Sequence, residues 1–500
     1  MFSKQKESLS EGKGGMLRGH ILSEIEASRE HFKATGEGQI IQADITHLLT
    51  LQDHSGPWDF ALYSDIPEEA KAFLWHDGRS NRSFYAVGVL DERTFNGTER
   101  FSLARKYLEK MKQRFIRLPS VLEDDGEPPL MIGGFGFSTD QSSGGVWRDW
   151  PNGWLVVPKV LAYTSGDDVR VVCNIYIDPT SPDSSTTEQL NEIMALLAKS
   201  QKSPKTNIKS GAPSHIEKPL EWKRRIEVAK EQISSGLLDK VVPARSVVMP
   251  IEAKSWDHNN SINTLISLKR QHPTAVTFGV INGKSGSFLG ASPEFLVCAR
   301  NGMITAEAVA GTRRRDIDSA KDEQLSEELL SSPKERAEHD MVVQFIKSQM
   351  SAVGVNTEGA SSPSIRQLSH IQHLHTPLYG TIPSGTCLLQ LVETLHPTPA
   401  VAGLPRSLAL KHISETESMD RGWYSGPIGW IRSDGSGEFI VGLRSAIVRD
   451  GEIHAFAGAG VVEGSDFAAE WDETRLKLSA ICDVISGGDT QKELPVFGEE

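Results

Sequence analysis

Alternating apolar and polar residues surround a short dipeptide at two places in the chain, a pattern typical of β-hairpins. In the first, FLVCAR and MITAEAVAGT flank Asn301-Gly302; in the second, FIVGLRSAIVR and EIHAFAGAGVV flank Asp450-Gly451. Both dipeptides favour a type I′ turn, in which the two central residues have positive φ. We therefore predict two antiparallel hairpins and place Glu307 in the return strand of the first.

A helix is predicted where apolar residues recur at helical spacing, starting within SSPKERAEHDMVV. Ser332 suits the N-cap, Pro333 suits the first helical position, and Glu335 occupies the capping-box position. Glu338 follows three residues later, so it and Glu335 lie on one side of the helix.

A second helix is predicted from about Ser465 to Gly487. Within AEWDETRLK it carries Glu470, Glu473 and Lys477 at i, i+3 and i+7, which aligns them on one stripe. Two helices that each offer a carboxylate pair can meet around one hard divalent cation. Antiparallel hairpins interleaved with long helices indicate an α+β fold.

Composition limits the classes of partner. The chain has 500 residues, of which 38% are hydrophobic, and four scattered cysteines without metal-type or disulfide spacing. A formal charge of −13 argues against nucleic acid, and an anionic small molecule needs locally placed cations or a metal. No apolar run approaches the roughly 18 residues of a membrane helix, and the N-terminus lacks an apolar signal core. We therefore expect a cytoplasmic protein with no membrane partner.

Local composition divides the chain into four regions. Residues 1–20 are interpreted as a polar N-terminal extension and residues 488–500 as a polar tail. Between them, residues 21–218 and 219–487 form the two parts of the folded chain. The stretch from about Asp178 to Pro219 contains a predicted helix at 187–199, and its second half is interpreted as a connector.

A series of short motifs stands in order between Leu238 and Ile485. They are LDKVVPAR, FLGASPEFLV, TAEAVAGTRRR, KERAEHDMVV, LHPTPAVAGLPR, RGWYSGPIGW, VGLRSAIV, AGAGVVEGSD and AEWDETRLK. Together they resemble the chorismate-utilising enzymes, and within that family the pattern is most similar to isochorismate synthase. The earlier part of the chain is similar chiefly at residues 132–137. The resemblance implies one large α/β sandwich of antiparallel sheets flanked by helices, with 21–218 as its N-terminal half and 219–487 as the chorismate-binding catalytic region.

Isochorismate formation adds water at ring carbon C2 while the C4 hydroxyl leaves, so it needs a base and an acid on opposite sides of the ring. By resemblance, Lys240 in LDKVVPAR activates the water and Glu307 in TAEAVAGT protonates the departing hydroxyl. The lysine needs burial or cationic neighbours to act as a neutral amine. The glutamate must keep a proton near neutrality, which an apolar setting between Ala306 and Ala308 would favour.

The resemblance also implies a Mg²⁺ site on the two acidic helices. Glu338 and Glu473 would bind the ion directly, and Glu335 and Glu470 would lie nearby as water-mediated or alternate ligands. A few carboxylates suit Mg²⁺, because this ion keeps several of its waters. A simple capping-box role for Glu335 remains the alternative.

Further residues match positions that hold chorismate in the family. By resemblance, Tyr424 and Arg444 grip the enolpyruvyl carboxylate, Gly458 offers an unobstructed backbone contact, and Lys477 reaches the ring carboxylate and the metal. A two-residue loop in the second hairpin would place Arg444 diagonal to Gly458 on one face. His396 in LHPTPAV is a candidate for orienting the ring, with a helix-entry histidine beside proline as the alternative.

Residue choices separate the branches of the family. Ala310 stands where the resemblance places a nucleophilic lysine in aminodeoxychorismate synthases, and alanine cannot form that adduct. Lys240 and Ala400 stand where anthranilate synthases usually carry glutamine and threonine, so water is the expected nucleophile and no amidotransferase subunit is expected. Salicylate synthase, which goes on to eliminate pyruvate, remains open, as does a non-catalytic chorismate-binding subunit. The product could feed a quinone or a siderophore.

Overall fold

The computed structural model describes most of the chain. It covers residues 19, 23, 38–46, 49, 56–62, 66–117, 128–139, 144–178, 182–197, 211, 213–251, 256–360, 362–368 and 371–486. The predicted N-terminal extension apart from residue 19, the tail at 488–500 and most of the predicted connector lie outside the described residues. In the described part, no helix is both long and apolar enough to cross a membrane.

The strands are short to medium in length and occur along the whole chain. In order they are β1 (Gln39–Asp44), β2 (Lys71–Asp77), β3 (Arg82–Phe95), β4 (Phe115–Arg117), β5 (Met131–Phe135), β6 (Gly153–Ser165), β7 (Asp168–Ile177), β8 (His215–Ile216), β9 (Lys240–Val241), β10 (Ala244–Pro250), β11 (Val276–Asn282), β12 (Ser287–Ser292), β13 (Phe295–Arg300), β14 (Met303–Arg314), β15 (Thr357–Gly359), β16 (Ser364–Gln367), β17 (Ile371–Thr381), β18 (Gly403–Leu404), β19 (Pro427–Ile431), β20 (Gly437–Val441), β21 (Ser445–Arg449) and β22 (Glu452–Gly458).

The α-helices lie between these strands. In order they are α1 (Pro57–Leu62), α2 (Arg100–Arg114), α3 (Pro182–Leu196), α4 (Pro219–Ser234), α5 (His258–Gln271), α6 (Ser319–Ser331), α7 (Pro333–Ala352), α8 (Leu388–Leu395), α9 (Arg406–Thr416) and α10 (Phe467–Ser486).

Strand pairing forms two layers that share β6. One layer runs β10–β22–β21–β12–β11–β2–β3–β6, and the other runs β17–β14–β13–β20–β19–β5–β6, with antiparallel neighbours throughout. An aromatic core that includes Trp75, Phe288, Trp154 and Trp430 draws side chains from both layers. Two further apolar clusters join the outer faces to the helices. The expected α+β sandwich with flanking helices is therefore confirmed.

Local sequence rules account for the elements that carry the site. Both hairpin turns have the positive φ values of a type I′ turn, 51° and 73° at Asn301-Gly302 and 53° and 79° at Asp450-Gly451. Ser332 caps α7 by accepting the backbone N–H of Glu335. The predicted C-terminal helix is α10, and the helix predicted at 187–199 is α3.

The early part of the chain contributes to both layers. Strand β2 pairs with β11, while β5, which holds the weakly similar segment at 132–137, pairs with β19. The turn between β2 and β3 carries Arg79, whose side chain reaches β14. The late motifs therefore lie on a framework to which both parts of the chain supply strands.

Candidate active site

The amine of Lys240 and the carboxylate of Glu338 form a buried ion pair. Lys240 begins the two-residue strand β9 and is 1% exposed, and its Nζ lies 2.7 Å from Glu338 Oε1. Gly460 borders the pair, because a Cβ added there would lie 2.5 Å from Glu338 Oε1. The burial expected for Lys240 is present, but the charged group that contacts its amine is a carboxylate rather than a cation.

The two acidic helices meet at Thr312, near the end of β14. Its backbone N–H donates to Glu335 Oε2 over 3.1 Å, and its hydroxyl donates to Glu473 Oε1 over 3.3 Å. Although the amide of Glu335 is capped by Ser332, its carboxylate is directed at Thr312. Glu335 is therefore more than a simple capping-box partner.

Like charges crowd where these helices meet. Burial, followed by the charge of Glu338, raises the pKa of Glu335. Burial and the charge of Glu473 raise the pKa of Glu470 to about 7. Burial alone would also raise the pKa of Glu473, but Lys477 lowers it, with Nζ 2.5 Å from Oε1. Carboxylates that repel one another in this way are stabilised by a nearby cation.

The four predicted Mg²⁺ ligands suit that ion in chemistry, although they do not converge on one point. Three of them contact lysines, in the pairs Glu338–Lys240, Glu473–Lys477 and Glu470–Lys334. Within the described ranges, no group of three or more His, Cys, Asp or Glu side chains is positioned to hold a metal ion. Carboxylate oxygens are nevertheless the ligands that Mg²⁺ prefers, and their mutual repulsion is what a divalent cation relieves.

Glu307 is held by basic side chains from distant strands. Arg366 binds its carboxylate with both terminal nitrogens, over 2.7 and 3.0 Å, and Arg79 Nη1 donates to Oε1 over 2.8 Å. His375 Nε2 lies 3.5 Å from Oε1. Burial alone would raise the pKa of Glu307, but the contacts with His375, Arg366 and Arg79 lower it well below its usual range.

The prediction that Glu307 keeps a proton near neutrality is therefore wrong. Ala306 and Ala308 cannot provide its setting, because neighbouring side chains of a strand point to opposite faces. The face that Glu307 shares contains arginines instead. An ionised carboxylate has no proton to give to a leaving hydroxyl.

Glu294 has the properties that the sequence analysis assigned to Glu307. It lies in the short connection between β12 and β13 and is 4% exposed. Among the described residues its carboxyl group has no hydrogen-bond partner. Burial raises the pKa of Glu294 to about 7, against the opposing charges of Lys240 and Arg444. The sequence analysis missed this residue, although a single acid in the apolar run FLGASPEFLV was a usable signal.

The structure brings the predicted substrate-binding residues together. Lys477 Nζ donates to the carbonyl oxygen of Gly458 over 2.9 Å, and a Cβ added at Gly458 would lie 3.3 Å from the Tyr424 hydroxyl. Arg444 has a φ of 49°, and its partly buried guanidinium lies near the acidic groups of Tyr424, Glu473 and Glu294. Its Nη2 lies 3.3 Å from the Nε2 atom of His373, a histidine on β17.

His396 lies in different surroundings. Its Nε2 is 3.1 Å from the carbonyl oxygen of Phe137, and burial lowers the pKa of its imidazole to about 3. With Phe137 and Arg406 it lines a cavity of about 620 Å³, and neither Lys240 nor Glu294 lines that cavity. Among the described residues, no contact of His396 supports a role in orienting the substrate ring.

Comparison with known proteins places this site in a family. The family described as chorismate binding enzymes matches residues 39–486, nearly the whole described chain. This chain belongs to the chorismate-binding enzyme family.

Individual relatives agree with the family. The salicylate biosynthesis isochorismate synthase of Pseudomonas aeruginosa is 31% identical over 448 residues, which cover 88% of this chain and 89% of the relative. Isochorismate synthase MenF of Bacillus subtilis is 28% identical over 436 residues, 86% of this chain and 91% of the relative. The solved structure of MenF, the menaquinone-specific isochorismate synthase of Escherichia coli, has a TM-score of 0.74 at 23% identity and covers 92% of this chain and 100% of its own. The last likeness confirms the fold.

Replacing Gly460 by alanine is expected to weaken chorismate binding. The new methyl group would push Glu338 away from Lys240, and overpacking of this kind costs about 1–3 kcal/mol. We expect the dissociation constant for chorismate, measured by calorimetry, to rise at least about tenfold. Gly464→Ala is the matched control, because a Cβ there has nothing within 4 Å. Equal binding by the two folded variants would show that the position of the Glu338 carboxylate does not affect chorismate binding.

Proposed function

We propose that this protein is an isochorismate synthase, an isomerase that uses Mg²⁺ to convert chorismate to isochorismate. The observation that carries the proposal is a buried amine close enough to act electrostatically on a buried carboxyl group, which has no hydrogen-bond partner among the described residues. Lys240 is 1% exposed and Glu294 is 4% exposed, and the charge of the first acts on the second. Two relatives that match most of this chain carry the name isochorismate synthase, which supports the same reaction.

Proton transfer in this reaction needs one base and one acid. Lys240 takes a proton from the water that attacks C2, a step for which its amine must first give up its own proton. Glu294, with a pKa of about 7, still carries a proton in a large fraction of molecules near neutrality and gives it to the C4 hydroxyl as that group leaves. One water enters and one leaves, so the product is an isomer of the substrate.

The substrate's two carboxylates need cationic partners in an acidic protein. Arg444 has the planar guanidinium that binds a carboxylate with two hydrogen bonds, and Tyr424 adds a hydroxyl beside Gly458. Lys477, next to Glu473, supplies a second cation for the ring carboxylate. These groups orient the ring so that C2 and C4 face the base and the acid.

The proposed reaction includes a magnesium site on the two acidic helices. Glu338 and Glu473 would hold Mg²⁺, with Glu335 and Glu470 within reach. When bound, the ion would neutralise the ring carboxylate and favour departure of the hydroxyl. The crowding that raises the pKa of Glu335 and of Glu470 supports a cation at this place.

Small residues favour water over other nucleophiles. Ala310 is buried on β14, and Ala400 packs against one of the two apolar clusters that join the outer faces of the layers to the helices. Neither side chain can form a covalent adduct or hydrogen-bond an amine. Water activated by Lys240 is therefore the nucleophile that we propose.

A product assay tests the reaction itself. Incubation with chorismate and Mg²⁺ is expected to give isochorismate without pyruvate, as measured by liquid chromatography and mass spectrometry. Stoichiometric salicylate and pyruvate would instead identify a salicylate synthase. Tight chorismate binding without product would identify a non-catalytic subunit, and a glutamine-dependent aminated product would identify an amidotransferase-partnered enzyme.

Removing either proton-transfer group should stop turnover while leaving the fold intact. We expect Glu294→Gln and Lys240→Ala each to lower kcat by about 10²–10⁴-fold, the usual contribution of general acid–base catalysis. In the wild type, kcat should fall as the pH rises through about 7, because Glu294 then loses its proton. A folded variant of either kind with wild-type kcat would remove that residue from the mechanism.

Binding of Mg²⁺ can be measured apart from catalysis. The ion is expected to raise the melting temperature, since a ligand at 100 times its dissociation constant stabilises the folded state by about 2.7 kcal/mol. Glu338→Gln and Glu473→Gln should abolish this shift, and a chelator should reverse it. Glu463→Gln, which changes an exposed glutamate near α10, is the control and should keep the shift. An unchanged shift in the first two variants would place the ion elsewhere.

A further inference from the structure

The arginine that binds Glu307 most closely also binds the residue before Glu294. Arg366 Nη1 lies 2.7 Å from Glu307 Oε2 and donates as well to the carbonyl oxygen of Pro293 over 2.9 Å. The guanidinium therefore connects the ionised carboxylate on β14 with the chain segment that carries the proposed acid.

The second arginine contacts the residue after Glu294. The guanidinium carbon of Arg79 lies 3.6 Å from the centre of the Phe295 ring, a cation–π contact. Its Nη1 donates to Glu307 Oε1 over 2.8 Å. Glu307 thus binds two arginines, which contact the residues before and after Glu294.

The segment between β12 and β13 has few other restraints. The pairing of β13 with β20 shifts register between Phe295 and Val297, so the ladder is irregular where the strand begins. The backbone of Glu294 donates to the Ser292 hydroxyl over 3.2 Å, and its carbonyl oxygen accepts the N–H of Val441 over 3.1 Å. The carboxyl group itself has no hydrogen-bond partner among the described residues. Its orientation therefore depends on how the adjacent residues are held.

We propose that Glu307, Arg366 and Arg79 form a clamp that positions Glu294 to protonate the leaving hydroxyl. The inference rests on the proposed function and gives Glu307 a positioning role in place of the catalytic one. The planar fork of Arg366 suits this task, because its two hydrogen bonds to Glu307 leave Nη1 aligned with the carbonyl oxygen of Pro293.

The clamp also balances charge around the acid. The charged and titratable groups that face Glu294 or contact the clamp come from several strands and loops: Lys240, Arg444, Glu307, Arg366, Arg79, Asp77 and His375. His373 lies beside one of them, Arg444. The negative charge of Glu307 favours the protonated form of Glu294, whereas the positive charge of Arg366 favours the ionised form. Loss of one of these charges therefore shifts the pKa of Glu294, downward when a negative charge is removed and upward when a positive charge is removed.

Two neutral variants test the clamp through opposite shifts. Glu307→Gln and Arg366→Gln should each lower kcat about 10- to 100-fold with little change in KM, as expected for a misplaced catalytic group. The basic limb of the pH profile of kcat should move to lower pH in Glu307→Gln and to higher pH in Arg366→Gln. Lower kcat with the limb unmoved in both variants would reduce these residues to a structural role and overturn the proposal.

Controls separate the clamp from general effects of a broken ion pair. Asp322→Asn also removes a buried carboxylate bound by an arginine, but that arginine, Arg315, contacts the carbonyl oxygen of Leu368 and no residue of 293–295. It should keep the wild-type kcat and pH profile. If the first two variants do not fold, Arg79→Gln changes a side chain that is 33% exposed, and full activity in that variant would refute the clamp.

The outcomes also distinguish this inference from the proposed function. Full activity of the Glu294→Gln variant would refute both the role of Glu294 as the acid and the role of the clamp. Loss of activity in Glu294→Gln, combined with a wild-type kcat and pH profile in Glu307→Gln, would leave the function in place and refute only the clamp.

Discussion

The charges buried where β9, β14, α7 and α10 meet are the constraint on which the site depends. A lysine and a glutamate taken out of water gain little net stability from each other unless further groups complete the network. Here four predicted ligands, Glu335, Glu338, Glu470 and Glu473, face three lysines, Lys240, Lys334 and Lys477. Among the described residues, the remaining ligand, Glu335, forms no ion pair with a lysine and accepts the backbone N–H of Thr312. Burial and the charge of Glu338 raise its pKa. This crowding of carboxylates is the observation that supports the proposed metal site.

The sandwich makes that arrangement depend on the whole chain. Strands β2 and β5 from the early part pair with β11 and β19 from the late part, so the motif-bearing region lacks complete layers by itself. Arg79, on the turn after β2, crosses to Glu307 on β14. The family matches residues 39–486, yet the motifs quoted from the sequence lie mostly in the late part of the chain. The early part supplies the described site mainly with packing and one arginine, and apolar packing accepts many sequences of similar volume.

Local rules in the sequence were enough for the elements that carry the site. Positive φ at Asn301-Gly302 and Asp450-Gly451 follows from turn chemistry, and the start of α7 follows from Ser332 and Pro333. These features depend on residues a few positions apart. The choice of acid did not follow, because the environment of Glu307 is set by partners 59 and 228 residues away along the chain. The order of the motifs placed Arg444, Gly458 and Lys477 in one region. It could not show which hydrogen bonds and ion pairs each polar group already forms.

Glu294 and Glu307 show why the environment, and not the residue type, decides the role. Both are buried glutamates, Glu307 on β14 and Glu294 in the connection before β13, so the cost of burying the charge pushes the pKa of each upward. Glu307 meets two guanidinium groups at hydrogen-bond distance, and this contact outweighs burial and keeps it ionised. Glu294 meets cations only at longer range, without a hydrogen bond among the described residues, so burial wins and the pKa of its carboxyl group rises to about 7. The same two arginines thus keep Glu307 ionised and contact Pro293 and Phe295, the residues on either side of Glu294, without a described hydrogen bond to the Glu294 carboxyl group.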